Sequence, residues 1–372
     1  MMRARIYLNG RFLTQPMTGA QRFAHCIVRA MDETLSSRAE VDRPHVTLLA
    51  PRASADMPGL RAIQVRRIGP LSGHAWDQIT LASAAGDGAL ISLCAAGPVL
   101  HPRHVVQVYD AAVYQIPETF GRTYRIVHRA LDRGYARFSQ MATLSQFSRA
   151  ELEALLKPRR PLLITPPAAE HLLDIVADAT ILNRLNLTNT PFFLCLGSIK
   201  KNKNLGTAVA ALGQGPASAR LVIVGDRNEK VFGLEGAEES EHVTWAGRCS
   251  DEEVVALMHA ARAFVFPSTY EGFGIPPLEA MALGCPVLAS TAPAVVETCG
   301  AGARYFDPHD SAALAALMHE VIEEPQPCRA AWINKARAQA ATYSWRRSAA
   351  LLLSAAEALA RDASTAVPHA RH

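Results

Sequence analysis

A chain of 372 residues with 49% hydrophobic and 19% charged residues can fill two ordinary domain cores, which excludes a disordered or low-complexity protein. Seven cysteines (Cys26, Cys94, Cys195, Cys249, Cys285, Cys299, Cys328) are scattered singly, a pattern that argues against a disulfide framework or zinc site and for a reducing cytoplasm. The net charge of +4 is uneven: residues 1–169 hold 21 Lys and Arg against 12 Asp and Glu (+9), and residues 170–372 hold 17 against 22 (−5). That split suggests two domains, of which the first faces an acidic partner or surface.

The basic start, Met1 to Arg5, reaches Asn9 and Gly10 without an apolar run, so it reads as a first strand and not as a signal peptide. Apolar runs at 5–8, 46–50, 89–93, 105–109 and 141–144 predict strands, with helices over 20–33, 122–138 and 148–156 between them. Two proline clusters, around Pro158 and Pro161 and at Pro166-Pro167, flank a short apolar strand at 162–164 and mark a linker. Strands at 192–196, 221–224, 243–245, 263–266 and 286–289 then alternate with helices over 204–212, 251–261 and 277–283. The expected fold class is α/β, with a parallel sheet covered by helices occurring twice. The expected division is 1–168, 169–344 and a C-terminal helix and tail over 345–372. No run is long enough to span a bilayer.

Within the first half, Arg122, Arg125, Arg129, Arg133 and Arg137 recur at spacings of three and four. At about 100° per residue they share an arc of roughly 120° on one helix face. Two readings stand: a solvated face of a crossover helix, or a surface for anionic lipid headgroups or a pyrophosphate-linked acceptor. Nucleic acid fits less well.

The densest chemistry lies between Pro267 and Val287, directly after the strand at 263–266. Gly272 and Gly274 leave a backbone that a ligand can approach, Pro277 suits a first helical position, and Gly284 with Pro286 ends the helix. The expected product is a strand, a Gly-rich loop and a helix whose N-terminal N–H groups suit a diphosphate. Glu279 is expected in the first helical turn, where it either caps the helix or binds a ligand. Glu271 is either a solvated turn residue or a ligand-binding one.

Glu271 and Glu279, separated by seven residues, resemble the signature of the retaining glycosyltransferases of family 4, which share the GT-B fold. The resemblance extends to Leu194-Cys195-Leu196-Gly197-Ser198 with Lys203-Asn204-Leu205, to Val222–Gly225, to Val243-Thr244-Trp245-Ala246-Gly247 and to Phe306-Asp307-Pro308. In the first half it covers Thr18-Gly19-Ala20-Gln21-Arg22, Gly97-Pro98, Tyr109-Asp110 and Thr143 to Ser148, as in members that build bacterial surface polysaccharides. It implies two Rossmann-like domains facing a central cleft, the donor in the second, the acceptor mainly in the first, and a C-terminal helix crossing back.

By the same resemblance, Glu279 holds the ribose hydroxyls, while Glu271 and the backbone of Gly272, Phe273 and Gly274 take the donor sugar. Lys203 faces the diphosphate beside Gly197 and Ser198, and Trp245 and Arg248 lie by the base. The catalytic set is Glu271, Lys203 and Asp110, with Gly19 and Tyr109 as further donor-side contacts. Ser198 and Asn202 stand where many relatives have Arg, and Tyr109 where many have His, which leaves Lys203 as the main cation. No Asp-x-Asp occurs, so metal-independent chemistry with no cofactor is expected. The implied reaction moves a hexose, mannose first, from GDP-mannose or another nucleotide diphosphate-sugar to a lipid-linked glycan at the inner membrane face. The alternatives are a catalytically weak nucleotide-sugar-binding protein and a sugar-nucleotide epimerase of the same architecture.

Overall fold

A computed structural model describes residues 3–197, 200–225 and 242–365, with side chains through residue 361. The chain forms two units, one of residues up to Tyr114, Gly121–Pro167 and the segment from Trp345, the other of Gln115–Phe120 and Ala168–Ser344.

The first unit is built on seven strands: β1 (Arg5–Asn9), β2 (His45–Pro51), β3 (Gln64–Ile68), β4 (Ala89–Ser92), β5 (His104–Gln107), β6 (Gln140–Thr143) and β7 (Leu163–Ile164). All pair in parallel, in the order β3-β2-β1-β4-β5-β6-β7. The inner strands are buried along their length because helices cover both faces, which is why they read as continuous apolar runs. The edge strand β3, Gln-Val-Arg-Arg-Ile, is exposed and polar and carries no such run, so no strand was expected there.

The helix Gly19–Ser36 buries Phe23, Ala24, Ile27, Val28, Met31 and Leu35, a helical repeat. The C-terminal helix Trp345–Thr365 packs on it, with the Trp345 ring 5.6 Å from Phe23 and Arg38 2.5 Å from Glu357. Ser348 Oγ donates to the Pro166 carbonyl at 2.7 Å, so the last helix is tied to the chain just before the second unit begins. Among the described residues no helix is long and apolar enough to cross a membrane.

The helix carrying the arginines runs Arg122–Phe138 and turns Asp132, Tyr135 and Ala136 inward. That inward face divides the stripe. Arg122, Arg133 and Arg137 are exposed, whereas Arg125 and Arg129 are half-buried. Arg129 donates to the Val113 carbonyl at 2.8 Å and lies 5.1 Å from the Tyr114 ring, so it braces its own unit. Of the five arginines on that arc, three are therefore exposed.

The second unit has β8 (Phe192–Leu196), β9 (Arg220–Val224), β10 (Val243–Gly247), β11 (Ala263–Phe266), β12 (Val287–Ser290) and β13 (Ala303–Phe306), all parallel in the order β10-β9-β8-β11-β12-β13. Phe193, Leu221, Val265 and Leu288 form one core with Leu205, Leu212, Leu314, Met318 and Trp332 from the covering helices. Two of those helices, Ser311–Glu323 and Gln326–Ala340, and the short helix Pro293–Cys299 lie between the expected strand at 286–289 and the expected C-terminal helix, where the sequence pattern predicts no element. The alanine-rich faces of the two longer ones give little contrast between buried and exposed positions.

Candidate active site

In each sheet the strand order reverses once, between β1 and β4 and between β8 and β11. Ligands of open parallel sheets gather at the carboxyl ends of the strands beside such a reversal. The loop after β8 carries Lys203 and the loop after β11 carries Glu271 and Gly272-Phe273-Gly274, so the second reversal brings together segments 68 residues apart.

The two loops are stitched by asparagines. Asn202 Nδ2 donates to the Tyr270 carbonyl at 3.1 Å, and Thr269 N–H donates to the Asn202 carbonyl at 2.8 Å. Asn204, left-handed at φ 50°, donates to the carbonyls of Pro267 at 3.1 Å and Pro308 at 2.6 Å. Asn tolerates that backbone better than most residues and has two N–H donors to divide between the loops. In the sequence Asn202 stands out only as a replaced arginine, and its two-residue spacing from Asn204 is the local signal of this bracing role.

Lys203 Nζ lies 2.7 Å from Glu271 Oε1, with side-chain exposures of 19% and 15%. The ammonium also lies 5.3 Å from the Phe266 ring centre, and the lysine stem lies against Gly197. A carboxylate and an aromatic face thus hold the cation in a partly buried setting, where its charge is weakly screened. Lys200 and Lys201 are exposed. Ser198 lies outside the described residues.

The helix after the glycine loop is Ile275–Leu283, two residues longer at its start than expected, with Gly274 (φ 106°) as its left-handed N-cap. Two expectations change. Pro276 and Pro277 occupy the second and third helical positions and have no N–H, so this helix end offers an anion its dipole and few donors. Glu279 is the fifth helical residue, past the first turn, and does not cap the helix. Its carboxylate is 10% exposed and meets His171 Nε2 at 3.5 Å.

Gly272, Phe273 and Gly274 are buried. The Phe273 ring packs edge-on against Tyr343 at 5.2 Å and its carbonyl accepts from Thr298 Oγ1 at 2.8 Å, so its side chain anchors the loop and its carbonyl is engaged. Trp245, on edge strand β10, packs half-buried against the apolar core, and Arg248 follows in the next loop.

The first unit's reversal carries a buried polar chain. Asn9 Nδ2 lies 3.1 Å from Asp77 Oδ1, 3.3 Å from Ser92 Oγ and 2.9 Å from the Ala96 carbonyl. Ser92 Oγ continues to His104 Nε2 at 2.9 Å, and His104 Nδ1 to Ser139 at 3.2 Å. A Cβ on Gly97 would lie 2.4 Å from Ser92 Oγ, so packing within this chain explains that glycine. Asp77 lies in a π-helical turn, Trp76–Leu81, and pairs with Arg11 Nη1 at 2.9 Å as an ion pair without hydrogen-bond alignment. A Cβ on Gly19 would meet nothing within 4 Å, so packing does not demand glycine there.

Tyr109 points its hydroxyl at the Leu93 carbonyl (2.6 Å) and the Ala20 carbonyl (3.1 Å). Its one proton is committed to the unit's own backbone. Asp110 Oδ1 accepts from Ala112 N–H at 2.8 Å, a turn-forming bond beyond the end of β5.

Burial lifts the Asp77 carboxyl from 3.8 to about 6, against the opposing pull of Arg11. A carboxyl raised on folding contributes its full stability below pH 3.8 and loses it as pH rises through about 6. Asp77→Asn, which cannot ionise, is expected to gain stability relative to wild type between pH 4 and pH 7, by on the order of 3 kcal/mol. Urea unfolding of both proteins at both pH values checks this. An unchanged difference would refute it.

Comparison with known proteins gives the site its context. The family model described as Glycosyl transferases group 1 matches residues 179–339. The chain is 27% identical over 256 residues to O-antigen chain mannosyltransferase B of Escherichia coli, covering 65% of this chain and 67% of the relative. It is 30% identical over 173 residues to the serotype-specific mannosyltransferase WbdA of Escherichia coli, covering 44% of this chain and 21% of that protein. Among solved structures, Anabaena Alr3699/HepE in complex with UDP-glucose matches with a TM-score of 0.68 at 18% identity, over 97% of this chain and 99% of that one.

Proposed function

Because residues 179–339 match the family model described as Glycosyl transferases group 1, we propose that this protein is a retaining, metal-independent mannosyltransferase. It uses GDP-mannose to extend a lipid-linked glycan in the assembly of a bacterial surface polysaccharide, on the cytoplasmic side of the membrane. The observation that carries the reading is the Lys203–Glu271 pair, 2.7 Å apart, at the reversal of the second sheet. The two Escherichia coli relatives are both mannosyltransferases by name, which supports mannose as the sugar.

A nucleotide diphosphate is already a good leaving group, so the site must stabilise charge growing on phosphate more than supply a proton. Lys203 exchanges Glu271 for the diphosphate, and Glu271, released from the lysine, accepts from hydroxyls of the donor sugar. The bond from the anomeric carbon to the phosphate oxygen breaks while the acceptor hydroxyl bonds to that carbon on the same face. The acceptor's proton goes to the departing phosphate. Neither carboxylate has to act as a nucleophile, which separates this site from a glycosidase pair.

A thermal-shift screen of GDP, UDP and dTDP tests the donor, since a nucleotide at about a hundred times its Kd stabilises by about 2.7 kcal/mol. Turnover of GDP-mannose with an acceptor, in excess EDTA and with retained anomeric configuration by NMR, tests the reaction. Inversion or abolition by EDTA would overturn it. Glu279→Ala is expected to weaken GDP binding by about 10- to 100-fold, the scale of losing hydrogen bonds to a charged group. Isothermal titration checks this, and equal affinity in both proteins would remove Glu279 from the ribose site.

A further inference from the structure

A carboxylate on the second turn of a helix is beyond the unpaired N–H groups of the helix end, so its orientation must come from elsewhere. For Glu279, 10% exposed, the neighbour that meets it is His171, whose Nε2 lies 3.5 Å from Oε1. His171 is presented by a short 3-10 turn, Glu170–Leu172, that packs against the Glu279 helix. The turn is pinned by buried Ala169 and Leu172 on either side of His171's own turn of chain and by Leu172 N–H donating to the Ala169 carbonyl at 3.0 Å. The histidine itself, 17% exposed, is therefore held on a fixed backbone with its ring toward the carboxylate.

A separation of 3.5 Å is long beside the roughly 2.7–2.9 Å of a tight charge-assisted hydrogen bond, so the contact has room to shorten when a ligand engages Glu279. A carboxylate has about four lone-pair directions; one taken by an imidazole N–H leaves the rest for two hydroxyl donors. We propose that His171 is a positioning residue for the nucleotide: its ring fixes Glu279 Oε1 so that the carboxylate meets both hydroxyls of the donor's ribose. This inference rests on the reading of Glu279 as the ribose ligand. It adds a residue from the segment joining the two sheets to that site, and makes that residue a determinant of ribose over deoxyribose.

The test measures GDP and 2′-deoxy-GDP binding by isothermal titration to the full chain. Wild type is expected to prefer GDP by about tenfold or more, the scale of a hydrogen bond to a charged group. His171→Ala should reduce that preference below about threefold by weakening GDP more than 2′-deoxy-GDP, because an unheld carboxylate no longer aligns with both hydroxyls and GDP has the second one to lose. His171→Gln, whose amide N–H can stand in for Nε2–H, should keep the preference within about twofold of wild type. Equal weakening of both nucleotides in His171→Ala, or an unchanged preference, would overturn the proposal. Failure of His171→Gln to retain the preference would do the same. Glu279→Gln separates the two layers. If it abolishes the preference while His171→Ala does not, only the positioning role falls. If it leaves the preference intact, the ribose reading fails and the proposal with it.

Discussion

Lys203→Ala is expected to lower kcat/KM by about 30- to 1000-fold, the 2–4 kcal/mol associated with removing one preorganised donor from a developing negative charge. Three observations set the size of this effect. Pro276 and Pro277 strip two N–H groups from the adjoining helix end, Asn202 is spent on stitching loops, and Lys200 and Lys201 are exposed. The loss should fall on kcat, since charge on the diphosphate grows in the transition state. Lys203→Ala also leaves Glu271, 15% exposed, without its ion-pair partner, which adds the cost of an uncompensated, partly buried charge. The double variant Lys203→Ala, Glu271→Gln removes that unpaired charge; it should be no more active than Lys203→Ala. Steady-state kinetics with GDP-mannose reads both. A loss below about tenfold would move the role to Lys200 or Lys201.

Joint replacement of Arg122, Arg133 and Arg137 by Glu is expected to release the protein from anionic vesicles at low salt. Each basic residue near such a surface is worth about 1 kcal/mol, so three reversals should cut partitioning by at least about a hundredfold. These three arginines are exposed, and Ile126, 70% exposed on the same side of the helix, can add apolar contact with the membrane. Arg129 is left out because its bond to the Val113 carbonyl would make its loss a folding defect. Vesicle sedimentation reads the outcome, with glycosylation of a soluble acceptor analogue expected to persist. Wild type that ignores anionic vesicles, or a triple variant that binds as wild type does, would reduce the stripe to a solvated face.

The α/β class and most strands follow from local pattern. Central strands of parallel sheets are buried on both faces, so Phe192–Leu196 and Ala263–Phe266 stand out as apolar runs with the bounds they have in the fold. The Arg122–Phe138 helix is equally legible because its charged face repeats at helical spacing. Glu271, Glu279, Lys203 and the glycines between them could be singled out because the loop-to-helix grammar is written in consecutive residues. What a side chain bonds to across the fold is not. That Tyr109 spends its proton on backbone, that Arg129 turns inward and that Asn202 joins two loops depend on partners 16 to 89 residues away. The place of Glu279 on its helix was decided by Gly274, whose left-handed conformation starts the helix at Ile275 and carries the carboxylate past the first turn toward His171. Sequence alone determined which residues could do chemistry, since residue type and spacing set charge, donors and local backbone. Only the tertiary structure decided which of them meet, because contacts between distant segments arise from strand order and packing, which no local window of sequence contains.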